Sequence, residues 1–291
     1  MARDVKSVLM TKLADRLKTN DLIVAPGVYD GISARIADSL GFDAMYMTGF
    51  GVVASHLGLP DAGLASYTEM VGRLEVLAGT VTTPIIADAD TGYGGLLNVR
   101  RTVQGYERAG AAAIQLEDQE FPKKCGHTLG RRVIPMAEMV QKIEVAVEAR
   151  SSADTLIIAR TDSRTAFGLD EALRRGEAYA KAGADVLFIE SPESEAEMAK
   201  ICATFDTPCL ANIVEGGRTP VLGRARLAEL GFRIAIFPVT GLLAASAALR
   251  AAYGELKGSG SGATPRDSFA SFVELMDFQA VWDFEKRHAT D

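Results

Sequence analysis

The sequence predicts an α/β fold, a closed (β/α)8 barrel of the TIM type followed by a helical extension. Eight short apolar runs, a helical pattern after each of them, and glycine at several helix ends carry that prediction. The runs cover residues 22–25, 44–47, 84–87, 112–116, 156–159, 186–189, 209–211 and 234–237. Continuous rather than alternating hydrophobicity marks strands buried on both faces, as in a parallel sheet. Helical patterns follow at 32–40, 67–78, 96–109, 136–149, 169–182, 193–205, 223–230 and 242–253. Gly41, Gly110, Gly183 and Gly231 stand where left-handed C-caps would end four of these helices before the next strand. Strict strand–helix alternation suits a closed barrel better than an open doubly wound sheet, and no GxGxxG follows the first strand.

At 291 residues the chain fits one large barrel, expected over 1–257. A Gly/Ser-rich linker is expected at 258–265 and a helical extension at 266–291. The extension carries Phe269, Phe272, Val273, Met276, Val281, Trp282 and Phe284. An apolar helix beyond such a linker needs a partner surface, which is expected on a neighbouring subunit.

Apolar residues make up 48% of the chain and no run of about 18 of them occurs, so no membrane span is expected. The N-terminus has no apolar signal core, and a cytoplasmic location is the expectation. Cys125, Cys202 and Cys209 form no CxxC pair and read as free thiols. A net charge of −7 without a basic stripe excludes a nucleic-acid backbone binder.

Barrel enzymes carry their reactive groups where strands exit into the βα loops. Here the second exit reads Thr48-Gly49-Phe50-Gly51 and the third runs from Asp88 through Asp90 to Gly94. The fourth is Glu117-Asp118, the fifth Arg160-Thr161-Asp162, the sixth Glu190-Ser191 and the seventh Asn212. Asp88, Asp90 and Glu117 would repel one another at one mouth, and a hard cation relieves that repulsion. Oxygen-only ligands suit magnesium, with manganese as a substitute, better than zinc.

Lys123-Lys124-Cys125-Gly126-His127 follows strand four in a polar loop. Two ammonium groups and an imidazole beside the thiol predict a lowered pKa for Cys125. Cys202 and Cys209 read as packing residues. Arg160, at a strand end, is placed to clamp a carboxylate.

These residues resemble the isocitrate lyase/phosphoenolpyruvate mutase superfamily through nearly the whole chain. The resemblance runs from Ala25-Pro26-Gly27-Val28-Tyr29-Asp30 through Asp88-Ala89-Asp90 and Glu117-Asp118-Gln119 to Asn212-Ile213-Val214-Glu215-Gly216-Gly217. The KKCGH loop is similar to the gating loop of the lyase branch, closest to 2,3-dimethylmalate and methylisocitrate lyases. It implies that Cys125 protonates the leaving enolate, with Lys123 and His127 supporting it. It further implies that Asp88 binds magnesium directly while Asp90 and Glu117 hold its waters. Tyr46, Thr48, Gly49 and Phe50 would line the pocket, the amides of Gly49 and Phe50 meeting a carboxylate. Arg160 would hold substrate oxygens, and Asp61, Glu190 and Asn212 match further pocket positions.

Thr48-Gly49-Phe50 and Val214-Glu215-Gly216-Gly217 depart from the methylisocitrate lyase pattern, and Pro238 replaces the serine associated with oxaloacetate hydrolases. The resemblance therefore points to cleavage of a small 2-substituted malate into a 2-oxo acid and a carboxylate. A carboxyphosphonoenolpyruvate phosphonomutase is the alternative, followed by a methylisocitrate lyase and a non-catalytic barrel. The resemblance also implies a homotetramer of helix-swapped dimers.

Overall fold

The computed structural model describes residues 12–19, 21–128, 130–258 and 262–289. Part of the expected linker lies outside them. Contacts divide the chain into two compact units, Met1–Gly241 and Leu242–Asp291.

The first unit is a closed barrel of eight parallel strands in chain order. These are β1 (Ile23–Val28), β2 (Met45–Met47), β3 (Ile85–Asp88), β4 (Ala111–Glu117), β5 (Leu156–Thr161), β6 (Val186–Ile189), β7 (Cys209–Asn212) and β8 (Ile234–Phe237). Pairing of Ile23 with Ile234 and of Pro26 with Phe237 closes the ring. Each strand overlaps one of the expected apolar runs.

The outer helices are α1 (Gly31–Ser39), α3 (Tyr67–Thr80), α4 (Leu96–Ala109), α5 (Met136–Ala149), α7 (Leu169–Lys181), α8 (Glu195–Thr204) and α9 (Arg224–Leu230). Two further helices escaped the sequence reading: α2 (Gly49–Val52), which runs into a π-helical turn at Val53–Leu57, and α6 (Ser163–Phe167). One turn of helix is too short to show an apolar period. Gly41, Gly110, Gly183 and Gly231 all have positive φ, from 72° to 114°, as their capping places require.

Side chains alternate along a strand, and the inward row fills the barrel with Ile23, Ala25, Tyr46, Ile86, Ala113, Leu156, Ile158, Val186, Phe188, Leu210, Ile234 and Ile236. Leu13 and Ala14, in the helical segment 12–17, join this cluster. The other row packs outward: Cys209, Ala211 and Ala235 meet Leu173, Met198, Ile201 and Leu227 of the helices, with Cys202 against them. Both cysteines are packing residues, as expected. Each fully buried Ile, Leu or Phe contributes roughly 1.5–3 kcal/mol.

Continuing the inward row by two residues toward the strand C-termini changes its chemistry. Ala25 gives way to Gly27, Tyr46 to Thr48, Ile86 to Asp88, Ile158 to Arg160, Phe188 to Glu190, Leu210 to Asn212 and Ile236 to Pro238. In β4 the change comes earlier, with Ala113 followed by Gln115 and then Glu117. One alternation thus builds both the core and the lining of the mouth.

The second unit contains most of α10 (Thr240–Lys257), together with α11 (Phe269–Leu275) and α12 (Phe278–His288). None of these helices buries a residue. Among the described residues no helix is long and apolar enough to cross a membrane.

Candidate active site

Asp88 ends β3 and is 6% exposed. Its Oδ2 accepts from the Gly49 amide at 3.3 Å, and its Oδ1 accepts from the Asp90 amide at 3.1 Å and from Gln115 Nε2 at 3.2 Å. These partners are neutral donors. The Gly49 amide is thus engaged by Asp88, while Phe50 lies in the first turn of α2, where backbone N–H groups lack intrahelical acceptors. Thr48 caps that helix, accepting from the Gly51 amide at 3.3 Å.

Asp90 adopts a left-handed φ of 47°, rare outside glycine and characteristic of functional turns. Burial lifts its pKa to about 6, with Asp88 and Asp61 adding to the rise and Lys123 opposing it. Lys123 Nζ stands 2.6 Å from Asp90 and 2.5 Å from Asp61. Burial alone would lower the Lys123 pKa, but Asp90 and Asp61 outweigh it and hold the ammonium charged.

Glu117 lies 3.3 Å from Arg160 through Oε2, while its Oε1 is buried without a hydrogen-bond partner among the described residues. Burial raises its pKa well above the carboxylate range despite Arg160. Arg160 is fixed by twin 2.9 Å bonds to Asp162, approaches Glu190 at 3.4 Å and stacks 5.0 Å from the Phe188 ring centroid. Glu190 in turn accepts from Asn212 and from Ser191, both at 3.0 Å.

The described residues of the loop 119–132 lie docked on these groups. Cys125 donates its amide to the Asp61 carbonyl at 3.2 Å, and the Ser191 hydroxyl, whose single proton is shared with Glu190, lies 3.0 Å from the Gly126 carbonyl. His127 Nδ1 accepts from the Arg218 amide at 3.2 Å, and its Nε2 faces Asn212 Nδ2 at 3.2 Å and Glu190 at 3.4 Å. Burial lowers the His127 pKa, with Glu190 opposing it. At the loop's far end Arg131 binds Asp162, the carboxylate that also grips Arg160, and Thr165. Pro238 packs against Gly27 at the β8 exit.

The expected lowering of the Cys125 pKa is overturned. Burial raises it, Asp61 and Glu190 raise it further, and the His127 amide and Arg160 only partly offset them. The charge invoked from sequence points elsewhere: Lys123 is absorbed by Asp61 and Asp90, and Lys124 reaches the Gly130 carbonyl at 3.3 Å. Cys125 is therefore a neutral thiol, equipped to donate a proton rather than to attack.

Among the described residues no three His, Cys, Asp or Glu side chains converge closely enough to ligate one ion directly. Lys123 and Arg160 supply part of the positive charge that the sequence assigned to a cation. A magnesium ion that keeps most of its waters needs only one or two carboxylates. Asp88, whose hydrogen-bond partners above are all neutral amides, and Glu117 Oε1, without a hydrogen-bond partner among the described residues, fit that requirement.

Most of the sequence-predicted residues share the mouth: Asp61, Asp88, Asp90, Glu117, Lys123, Cys125, His127, Arg160, Glu190 and Asn212 are linked by the contacts above, and Tyr46 joins them through Gln115, whose Oε1 accepts its hydroxyl at 3.0 Å. Gln115 and Arg131 have no place in the sequence reading, and Asp162 and Ser191 stand at its strand exits without a role. The signal for Gln115 was present, an amide inside the apolar run of β4. Arg131 gave none, because its role depends on how the loop folds back.

A (β/α)8-barrel enzyme with an acidic mouth covered by a thiol-bearing loop is the class these features define. The chain matches the phosphoenolpyruvate phosphomutase family over residues 13–257 and belongs to the phosphoenolpyruvate mutase/isocitrate lyase superfamily. It is an enzyme of that superfamily's carbon–carbon lyase type. It is 49% identical to a 2,3-dimethylmalate lyase of Eubacterium barkeri, with 96% of this chain and 98% of that protein covered. A solved oxaloacetate acetylhydrolase in complex with 3,3-difluorooxalacetate superposes with a TM-score of 0.91 at 38% identity, covering 94% and 95% of the two chains. A phosphonopyruvate hydrolase complexed with oxalate and Mg2+ superposes with a TM-score of 0.87 at 30% identity, covering 96% and 98%.

Proposed function

We propose that this enzyme cleaves the C2–C3 bond of a small 2-hydroxy dicarboxylate, a 2-substituted malate, releasing a 2-oxo acid such as pyruvate and a carboxylate. The observation that carries the reading is the neutral thiol of Cys125, presented over the mouth by a docked loop. The C2 hydroxyl gives up its proton as its oxygen becomes the carbonyl of the 2-oxo acid, and the C2–C3 electron pair leaves on the departing carboxylate as an enolate. Cys125 protonates that enolate and regains a proton before the next turnover, so no net proton is consumed.

Magnesium, or manganese in its place, would be held by Asp88 with Asp90 and Glu117 on its waters, and would stabilise the oxygen charge developing at C2. Arg160 supplies fixed positive charge to the same oxygens, held in aim by Asp162. Tyr46 and Thr48 line the wall, with Gly49, Phe50 and Pro238 bounding the substrate, while Asn212 and Glu190 hold the loop through His127. Loop closure excludes water that would otherwise quench the enolate without control.

The relatives act on different bonds, so the substrate is argued from the pocket. Thr48-Gly49-Phe50 and Val214 to Gly217 differ from the methylisocitrate lyase pattern, and Pro238 offers no hydroxyl where the resemblance places a serine in oxaloacetate hydrolases. Coupled detection of pyruvate over a panel of substituted malates and 2-methylisocitrate, with Mg2+ present, tests the reading. Turnover of a 2-alkylmalate is expected, and cleavage of none of the panel overturns it. The matched family's name favours a second reading, a phosphonomutase acting on carboxyphosphonoenolpyruvate. Phosphorus NMR with that substrate separates the two.

Three free thiols suit a reducing compartment, and the proposed setting is the cytoplasm. The proposed assembly is a homotetramer of dimers that exchange the C-terminal helices, for which the exposed apolar side chains of those helices speak.

A further inference from the structure

Gln115 sits in the inward row of β4 between Ala113 and Glu117 and is fully buried. An amide in that position is costly to bury unless both of its ends are bonded. Both are: Oε1 accepts from the Tyr46 hydroxyl at 3.0 Å, and Nε2 donates to Asp88 Oδ1 at 3.2 Å. Reversing the amide would set its carbonyl oxygen against the Asp88 carboxylate, so the charge of Asp88 fixes its orientation. The Tyr46 proton is then committed to Gln115, and the phenolic oxygen has only lone pairs left for the mouth. On the other side, Asp88 is held through Oδ1 by Gln115 and the Asp90 amide and through Oδ2 by Gly49, which removes its freedom to rotate.

We propose that Gln115 is a positioning residue that locks the carboxylate of Asp88 for magnesium and turns Tyr46 into a hydrogen-bond acceptor facing the substrate. The inference rests on the magnesium reading above. Partners that orient a metal-ligating carboxylate typically contribute tenfold to hundredfold in metal affinity when removed.

The test is calorimetric titration of substrate-free protein with Mg2+, comparing wild type with Gln115→Met, which keeps the volume and deletes both bonds. Thermal unfolding of each protein is recorded alongside. Affinity is expected to fall about tenfold or more. Turnover, measured over a Mg2+ series, is expected to climb back as excess ion restores occupancy. A merely structural role would lower the melting temperature and leave the affinity of the folded protein unchanged. Gln115→Asn, too short to reach both partners, serves if the Met variant does not fold, and the same loss is expected. Wild-type affinity, within twofold, in either folded variant overturns the proposal. Wild type that binds no Mg2+ removes the metal reading itself, and this inference with it.

Discussion

The role proposed for Cys125 depends on its protonation state. A general acid acts only while it holds its proton, and burial keeps this thiol protonated beyond the ordinary cysteine range. Turnover should therefore persist through neutral pH and fall as pH rises through the raised thiol pKa, whereas a thiolate nucleophile would gain activity over the same interval. Cys125→Ser should lower kcat by roughly 10²–10⁴-fold, the usual share of a positioned acid, with retained full activity counting against the role. A pH profile of kcat for the two proteins checks both. Asp90 gives a second dependence of opposite sense. Its pKa of about 6 means that it is a carboxylate above that pH and neutral below it. Mg2+ affinity should weaken as pH falls through about 6, and binding near that pH should release a proton, which titration in buffers of different ionisation heat would detect. The residue identities at the mouth were legible because strand exits can be located from the apolar runs. The state of Cys125 was not, since sequence neighbours are not spatial neighbours and the ammonium of Lys123 turns away into Asp61 and Asp90.

At the scale of elements, the loop 119–132 meets the barrel through backbone as much as through side chains. A Cβ on Gly126 would stand 2.3 Å from Arg160 Nη2 and 2.7 Å from Glu190 Oε2. Neither partner can give way cheaply: Arg160 is pinned by two bonds to Asp162, and Glu190 by Asn212 and Ser191. Gly126→Ala should therefore keep the barrel folded and hold the loop off the mouth. A displacement of even about 1 Å can cost on the order of a hundredfold in rate, so kcat/KM should fall by about that factor with little change in melting temperature. Steady-state kinetics beside thermal unfolding would check it, and an active Gly126→Ala enzyme would show that the docked geometry is not the productive one. The strands and long helices were readable because continuous apolar runs and a 3.6-residue period survive in any context. α2 and α6 were not, since each follows a strand exit directly and is fixed by what it caps or touches. Thr48 caps α2, and Thr165 of α6 receives Arg131 from the loop.

For the whole molecule, the decisive feature is apolar surface in the Leu242–Asp291 unit. Phe269 is 84% exposed and Trp282 52%, and Phe272, Met276, Phe278, Val281 and Phe284 are at least a third exposed as well. Monomeric proteins rarely expose contiguous apolar patches beyond a few hundred Å2. The Gly/Ser-rich segment ahead of these helices was readable from composition, and so was the need for a partner. The identity of the partner was not, because an amphipathic face specifies only that it be covered. A second copy of the chain is the economical answer, since closed symmetric assembly covers the same face on every subunit at once. Trp282→Asp places a charge in that face, beside the Phe278 ring 6.1 Å away. If the helices seal a subunit interface, light scattering should show the assembly of the wild type giving way to smaller species. Turnover per subunit should fall with it only where the assembly supports the mouth. An unchanged mass would mean that the face is covered by something other than another copy.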